Sequence, residues 1–270
     1  MSLLLVGCGK MGGALLQGWL DQGISASSIT IVEPNQDAAQ GFTDRLGVNA
    51  VASSGQLSPD YAPDVVVLAV KPQIMDQVLP PYAKLGARGP VFLSIAAGKT
   101  LADFAAILSD DAAVVRAMPN TPASVGRGIT VGCPNAHVTK SQAATCKELL
   151  SAVGDVEWLE DEHLMDAVTA LSGSGPAYIF LLAEAMSQAG QRAGLDPDMA
   201  DRLARATVAG SGELLHRSTD PAATLRENVT SPGGTTAAAL AVLMADDGMT
   251  ALLTRAIAAA TMRSKELANT

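Results

Sequence analysis

The sequence predicts an α/β N-terminal domain built on a doubly wound sheet, followed by an all-α C-terminal domain. Three observations lead there. The apolar run from Leu3 to Val6 enters Gly7, Gly9 and Gly12 at G-x-G-x-x-G spacing. Strand and helix signals then alternate as far as Asp161. Beyond that point strand signals stop, and apolar residues recur at helical spacing. A strand, a glycine turn and a helix in that order make the first part Rossmann-like. The boundary is placed at residue 160, giving domains 1–160 and 161–270 in a chain of 270 residues.

The first helix carries Met11, Ala14, Leu15 and Trp19. A second strand is read over 28–33. Residues 65–70 are unbroken apolar and mostly β-branched, as in a parallel strand buried on both faces. Strands over 91–94 and 113–116 continue the series. Helices over 37–46, 74–82 and 101–108 lie between them, so the crossovers are right-handed. Strands over 128–133 and 156–159 flank a helix near 141–150. The second half reads as helices over 162–171, 176–193, 197–216, 221–227, 236–245 and 249–267. Asp196-Pro197 marks one start, an N-cap residue followed by proline at the first helical position.

Composition narrows the function classes. With 48% apolar and 17% charged residues the chain is globular, not disordered. Only 3% is aromatic, so the core is built from Ala, Val, Leu, Ile and Met. A net charge of −9 argues against nucleic acid as a partner, because its phosphates would be repelled. No apolar run approaches the roughly 20 residues that span a bilayer, so a soluble, cytoplasmic protein without a membrane partner is expected. Leu5-Val6-Gly7-Cys8 looks like a lipoprotein box but lacks a basic leader, and the same residues serve the glycine fingerprint. Cys8, Cys133 and Cys146 form no C-x-x-C pair, which fits a reducing compartment. His137, His163 and His216 are scattered, so no metal site is expected. The second half is Ala-rich with long apolar faces. It suits a homo-oligomer, at least a dimer, through the C-terminal helices. The alternative is a self-contained bundle.

Several segments carry chemistry. Gly7 permits the turn, Gly9 lets the backbone approach a pyrophosphate, and Gly12 lets helix and strand pack closely. The free N–H groups and positive dipole end of the helix face the phosphates. Glu33 closes the second strand, where an acidic residue favours a free ribose 2′-hydroxyl and hence NADH. Asn35 could instead bond the 2′-phosphate of NADPH; the balance leans to NADH. Ala69-Val70-Lys71-Pro72-Gln73 lies at a strand's carboxyl end, where ligands sit in open α/β sheets. Lys71 is open to three roles: a surface lysine, a phosphate or ribose contact, or a catalytic acid. The small residues of Ser94-Ile95-Ala96-Ala97-Gly98 would let backbone line a nicotinamide. In Arg116–Ala123, Asn120 is a candidate for a carboxamide or a substrate, or else part of a plain crossover loop. Ser172–Tyr178 and Val229–Thr236 are glycine-rich segments that each lead into a helix. Their free N–H groups and hydroxyls make an anion cradle, unless the Ser and Thr residues simply cap the helices. Glu160-Asp161-Glu162-His163 reads as the solvated start of a helix.

These segments together resemble the Δ1-pyrroline-5-carboxylate reductase family over essentially the whole chain. The resemblance rests on G-C-G-K-M-G-G-A, A-V-K-P-Q, R-A-M-P-N-T-P-A, S-G-S-G-P-A-Y and V-T-S-P-G-G-T-T-A-A-A-L, in that order. It implies reduction of pyrroline-5-carboxylate to L-proline with NADPH or NADH, and a helical dimerisation domain. It implies that Gly7, Gly9, Lys10, Met11 and Gly12 hold the pyrophosphate and that Asn35 lies near the 2′ position. Ala69, Val70, Lys71 and Pro72, with Ala96 and Ala97, would wall the nicotinamide. Ser231, Gly233, Gly234, Thr235 and Thr236 would cradle the substrate, with Thr236 catalytic. Two other readings stand beside it. A 3-hydroxy acid reductase would need a lysine in the helical half, where Lys265 is the sole lysine after Lys147. A nucleotide-sensing protein would bind the coenzyme without turnover.

Overall fold

The computed structural model describes residues 1–86 and 88–268. The chain divides into two compact units, residues 1–173 with the chain from Thr261 on, and residues 174–260.

The first unit is built on one sheet. In chain order its elements are β1 (Leu3–Val6), α1 (Lys10–Asp21), β2 (Ile29–Val32), α2 (Gln36–Leu46), β3 (Asn49–Val51) and β4 (Val65–Leu68). Then come α3 (Met75–Val78), α4 (Ala83–Gly86), β5 (Val91–Ser94), α5 (Leu101–Ile107) and β6 (Val114–Met118). β7 (Gly128–Pro134), α6 (Lys140–Ser151), β8 (Gly154–Trp158) and α7 (Met165–Val168) complete it. The strand order is β3-β2-β1-β4-β5-β6-β7-β8. Its first six strands pair in parallel in the doubly wound dinucleotide-binding order. β7 runs antiparallel to β6, and β8 is parallel to β7.

Side chains alternate across the sheet and feed two cores. Leu3, Leu5, Ile29, Ile31, Val65 and Val67 pack on one face with Leu15, Trp19 and Leu149. Leu4, Val6, Val66, Leu68 and Phe92 pack on the other with Met75 and Phe104. Every residue of β1, β2, β4 and β5 is buried, which explains their unbroken apolar or small character. Trp19, fully buried, satisfies its indole N–H on the Leu149 carbonyl at 2.8 Å.

Three expectations are revised. The helix predicted over 74–82 is broken into a 3₁₀ turn (Pro72–Ile74), α3, a second 3₁₀ turn (Pro80–Tyr82) and α4. Pro80 and Pro81 lack the N–H groups that a continuous helix needs. The helix predicted over 162–171 is a 3₁₀ turn (Glu162–Leu164), then α7, then a π-helical turn over Thr169–Gly173. The strand predicted over 65–70 ends at Leu68, so Ala69 and Val70 belong to the loop that follows it. β3 had no sequence signal, being three residues long and only half-buried.

The second unit is helical: α8 (Gly175–Arg192), α9 (Pro197–Arg217), α10 (Ala222–Asn228), α11 (Thr235–Leu243) and the larger part of α12 (Met249–Ala268). Asp196 caps α9, its carboxylate accepting from the N–H groups of Asp198 and Met199 at 3.1 Å each. The Asp196-Pro197 start signal is thus used as the sequence suggested. Within this unit few side chains are buried, Ala200 and Ala204 among them, while Ile179, Phe180, Leu181, Val242 and Leu252 are exposed.

Candidate functional site

The glycine turn is shaped by sterics. Gly7 has φ +86°, and its N–H bonds the Val32 carbonyl at 3.0 Å. A Cβ on Gly7 would lie 2.8 Å from Cγ1 of Val70, and one on Gly12 would lie 2.5 Å from the Gly7 carbonyl oxygen. Neither contact is tolerable, so both positions require glycine. Gly9 is different: a Cβ there would meet nothing within 4 Å. Its backbone faces open space, as close approach of a phosphate demands. Gly9 is the N-cap of α1, and the first helical bond runs from Gly13 N–H to the Gly9 carbonyl at 2.7 Å. The N–H groups of Lys10, Met11 and Gly12 therefore have no acceptor within the helix. The Lys10 side chain is exposed, and that of Met11 packs against the core.

The other candidates of this unit leave strands that are neighbours in the order β2-β1-β4-β5, so they share the carboxyl edge of the sheet. Asn35 caps α2, its side-chain oxygen accepting from Ala38 N–H at 3.0 Å. Glu33 is half-buried and accepts from the N–H groups of Cys8 (3.2 Å) and Asn35 (3.0 Å). Ala69 N–H still bonds Val6 O at 2.8 Å, Lys71 is exposed, and Pro72 starts the 3₁₀ turn. Ala96 is buried and Ala97 half-buried; the Ser94 hydroxyl accepts from Ala96 N–H at 3.3 Å and shapes their loop. Lys99 and Asp76, 2.8 Å apart, link this loop to the first turn of α3, a tie that sequence reading missed.

The second group lies in the helical unit. Gly234 is the N-cap of α11, and Gly233 has φ +69°. Gly234 N–H bonds the Ser231 carbonyl at 3.0 Å, folding 231–234 into a turn ahead of Thr235 and Thr236. Thr236 is half-buried.

The helices that open at these glycine segments start without a side-chain cap, as do α3, α7 and α10. Side chains cap α2, α5, α6 and α9, with reciprocal Thr–Asp and Thr–Gln boxes at α5 and α6. No side chain among the described residues caps α1, α8 or α11. The hydroxyls of 172–174 and 230–236 therefore do not serve as N-caps, and the first-turn N–H groups of α1 and α11 stay available to an anion.

Two residues do other work than expected. Asn120 is occupied internally, its amide donating to the Ser172 carbonyl (3.2 Å) and its oxygen accepting from Ile129 N–H (3.0 Å). Glu162 is half-buried and paired, not a freely solvated helix start. It accepts from the buried Arg116 guanidinium at 2.7 Å and from Leu101 N–H at 2.8 Å. Burial pushes the thiols up, to about 12 for Cys8, where the Glu33 carboxylate adds to it, and to about 12 for Cys146. Cys133 rises for the same reason, helped by Glu162. None is an activated nucleophile. Among the described residues no group of three His, Cys, Asp or Glu could hold a metal, and no helix is long and apolar enough to cross a membrane.

Comparison with known proteins places this geometry. Residues 162–267 match the family model described as pyrroline-5-carboxylate reductase dimerisation. Residues 2–98 match that of NADP oxidoreductase, coenzyme F420-dependent. The chain is 41% identical over 266 residues to the pyrroline-5-carboxylate reductase of Pseudomonas aeruginosa, covering 98% of this chain and 96% of that one. It is similar in structure to a pyrroline-5-carboxylate reductase from Coxiella burnetii, with TM-score 0.93, 34% identity and 98% of each chain covered. It is also similar to the Plasmodium falciparum enzyme, solved with NADP bound, with TM-score 0.81, 29% identity and 99% and 98% covered.

Proposed function

The chain belongs to the pyrroline-5-carboxylate reductase family, and from that premise we propose how its own residues carry the reaction. The reaction is reduction of L-1-pyrroline-5-carboxylate to L-proline with NADPH or NADH, the last step of proline biosynthesis. When bound, the coenzyme supplies the hydride.

The N–H groups of Gly9, Lys10, Met11 and Gly12, with the turn at Gly7, hold the pyrophosphate. The fit lies in a backbone that opens to space at Gly9 and in a start of α1 that no side chain among the described residues caps. Asn35 lies near the adenosine 2′ position. Ala69, Val70, Lys71 and Pro72 wall the nicotinamide with Ala96 and Ala97, whose small side chains leave the backbone accessible. In the helical unit, Ser231, Gly233, Gly234, Thr235 and Thr236 hold the substrate carboxylate on backbone N–H groups and hydroxyls. That grip fixes which face of the ring is presented.

A cyclic imine is electrophilic already, and more so once its nitrogen is protonated. The protein therefore needs orientation and exclusion of water more than a strong acid. Thr236 bonds the ring nitrogen through its hydroxyl and relays a proton to it, taking one from a solvent water as it gives its own. The uncapped, glycine-led start of α11 carries this assignment. Residues 1–160 act as the coenzyme domain and 161–270 as the substrate and dimerisation domain. The protein works as a cytoplasmic homo-oligomer joined through its C-terminal helices, and nucleic acid has no part in it.

The test is direct. Purified protein is mixed with pyrroline-5-carboxylate and NADH or NADPH, and the absorbance of the reduced nicotinamide is followed. A fall that depends on the imine, with proline as product, is expected; no oxidation of either coenzyme would sink the proposal.

A further inference from the structure

Glu33 is pinned from both ends. Its own N–H bonds the Val51 carbonyl at 3.0 Å, fixing the main chain to β3. Its carboxylate spans the seam between the glycine turn and the loop after β2, with Oε2 on Cys8 N–H and Oε1 on Asn35 N–H. Two opposed donors prevent it from swinging aside. Each oxygen still has lone-pair capacity for another donor, and an ionised carboxylate can only accept. A ribose hydroxyl is a donor and suits it. A phosphate is an acceptor carrying negative charge and does not.

The neighbours offset that charge only in part. Asn35 uses its side-chain oxygen to cap α2. Between Val32 and Leu46 the one basic residue is Arg45. It lies in the last turn of α2, about 13 Å along the axis from Gln36 at 1.5 Å per residue. The Cys8 thiol, inside the turn, feels Glu33 more strongly than Arg45.

We propose that Glu33 is the coenzyme-discriminating residue of this chain. It accepts from the 2′-hydroxyl of the adenosine ribose of NADH and repels the 2′-phosphate of NADPH. The inference rests on the coenzyme-turn reading above, which it deepens.

The experiment separates the two. ADP-ribose and 2′-phospho-ADP-ribose lack the nicotinamide, so their binding to the full chain by calorimetry is independent of turnover. The wild type should bind ADP-ribose at least about tenfold more tightly, since like charges placed together are strongly unfavourable. Glu33→Gln keeps one acceptor oxygen and loses the charge. It should bring the two ligands within about threefold of each other, chiefly by tightening the phosphorylated one. Glu33→Asp, which keeps the charge, should retain the preference. Equal affinities in the wild type, or a gap unchanged in Glu33→Gln with the fold intact by circular dichroism, overturns the role of Glu33. Failure of the wild type to bind either ligand overturns the coenzyme-turn reading itself.

Discussion

Thr236 stands in the first turn of α11, half-buried and beyond a glycine turn closed by the Ser231 carbonyl. A hydroxyl there can accept from a protonated ring nitrogen or donate to a neutral one, and so can pass a proton in either direction. Thr236→Ala should lower kcat about a hundredfold, the lower end of what a positioned proton donor contributes, while the dissociation constant for coenzyme stays unchanged. Stopped-flow turnover with a separate coenzyme titration measures both; a kcat at the wild-type value would remove Thr236 from the chemistry. The glycines of the turn were readable because steric demands leave a fixed spacing in the sequence. The place of Glu33 at the end of β2, and with it a ribose contact, was readable too; that backbone N–H groups hold its carboxylate was not. Only the positions of the Cys8 and Asn35 N–H groups show that it is already bonded.

Helices and strands divide the same way. The central parallel strands β1, β2, β4 and β5 were legible because burial on both faces demands continuous apolar or small runs. The break at Pro80-Pro81 was also written in the chain, in two consecutive residues without an N–H. The π-helical turn was hidden. It is held by tertiary contacts, with Asn120 bonding the Ser172 carbonyl from 52 residues away. The same distance effect concealed Glu162, whose partner Arg116 lies 46 residues earlier. This pair joins the short Glu162–Leu164 turn to β6 and supplies an acceptor to the first turn of α5. Arg116 is 6% exposed at its side chain and Glu162 25%. Removing the carboxylate would strand a buried guanidinium. Glu162→Ala should therefore cost about 3–5 kcal/mol in denaturant unfolding. A loss under about 1 kcal/mol would mean that water reaches Arg116 as readily as an exposed pair.

The molecule as a whole is asymmetric in how it buries itself. The sheet unit is closed by two full cores, whereas the helical unit leaves large side chains such as Phe180 and Val242 exposed, at 68% and 72%. Apolar surface of that extent on alanine-rich helices is what a subunit interface requires. This was legible as composition alone, from the shortage of aromatics and the excess of alanine. The particular faces needed the structure. The wild type should run as a dimer or larger in light scattering. Replacing both Phe180 and Val242 with Asp should shift it to the monomer mass; an unchanged mass would take the interface away from these helices.

The buried sulfur atoms have one practical consequence. With Cys8 and Cys146 ionising near 12 and Cys133 raised as well, the folded enzyme holds almost no thiolate at neutral pH. Alkylating reagents and peroxides attack that ion rather than the thiol. A preparation kept in air without added reductant therefore keeps Cys8, inside the glycine turn, as the free thiol, and any labelling of these three positions reports that the fold has opened.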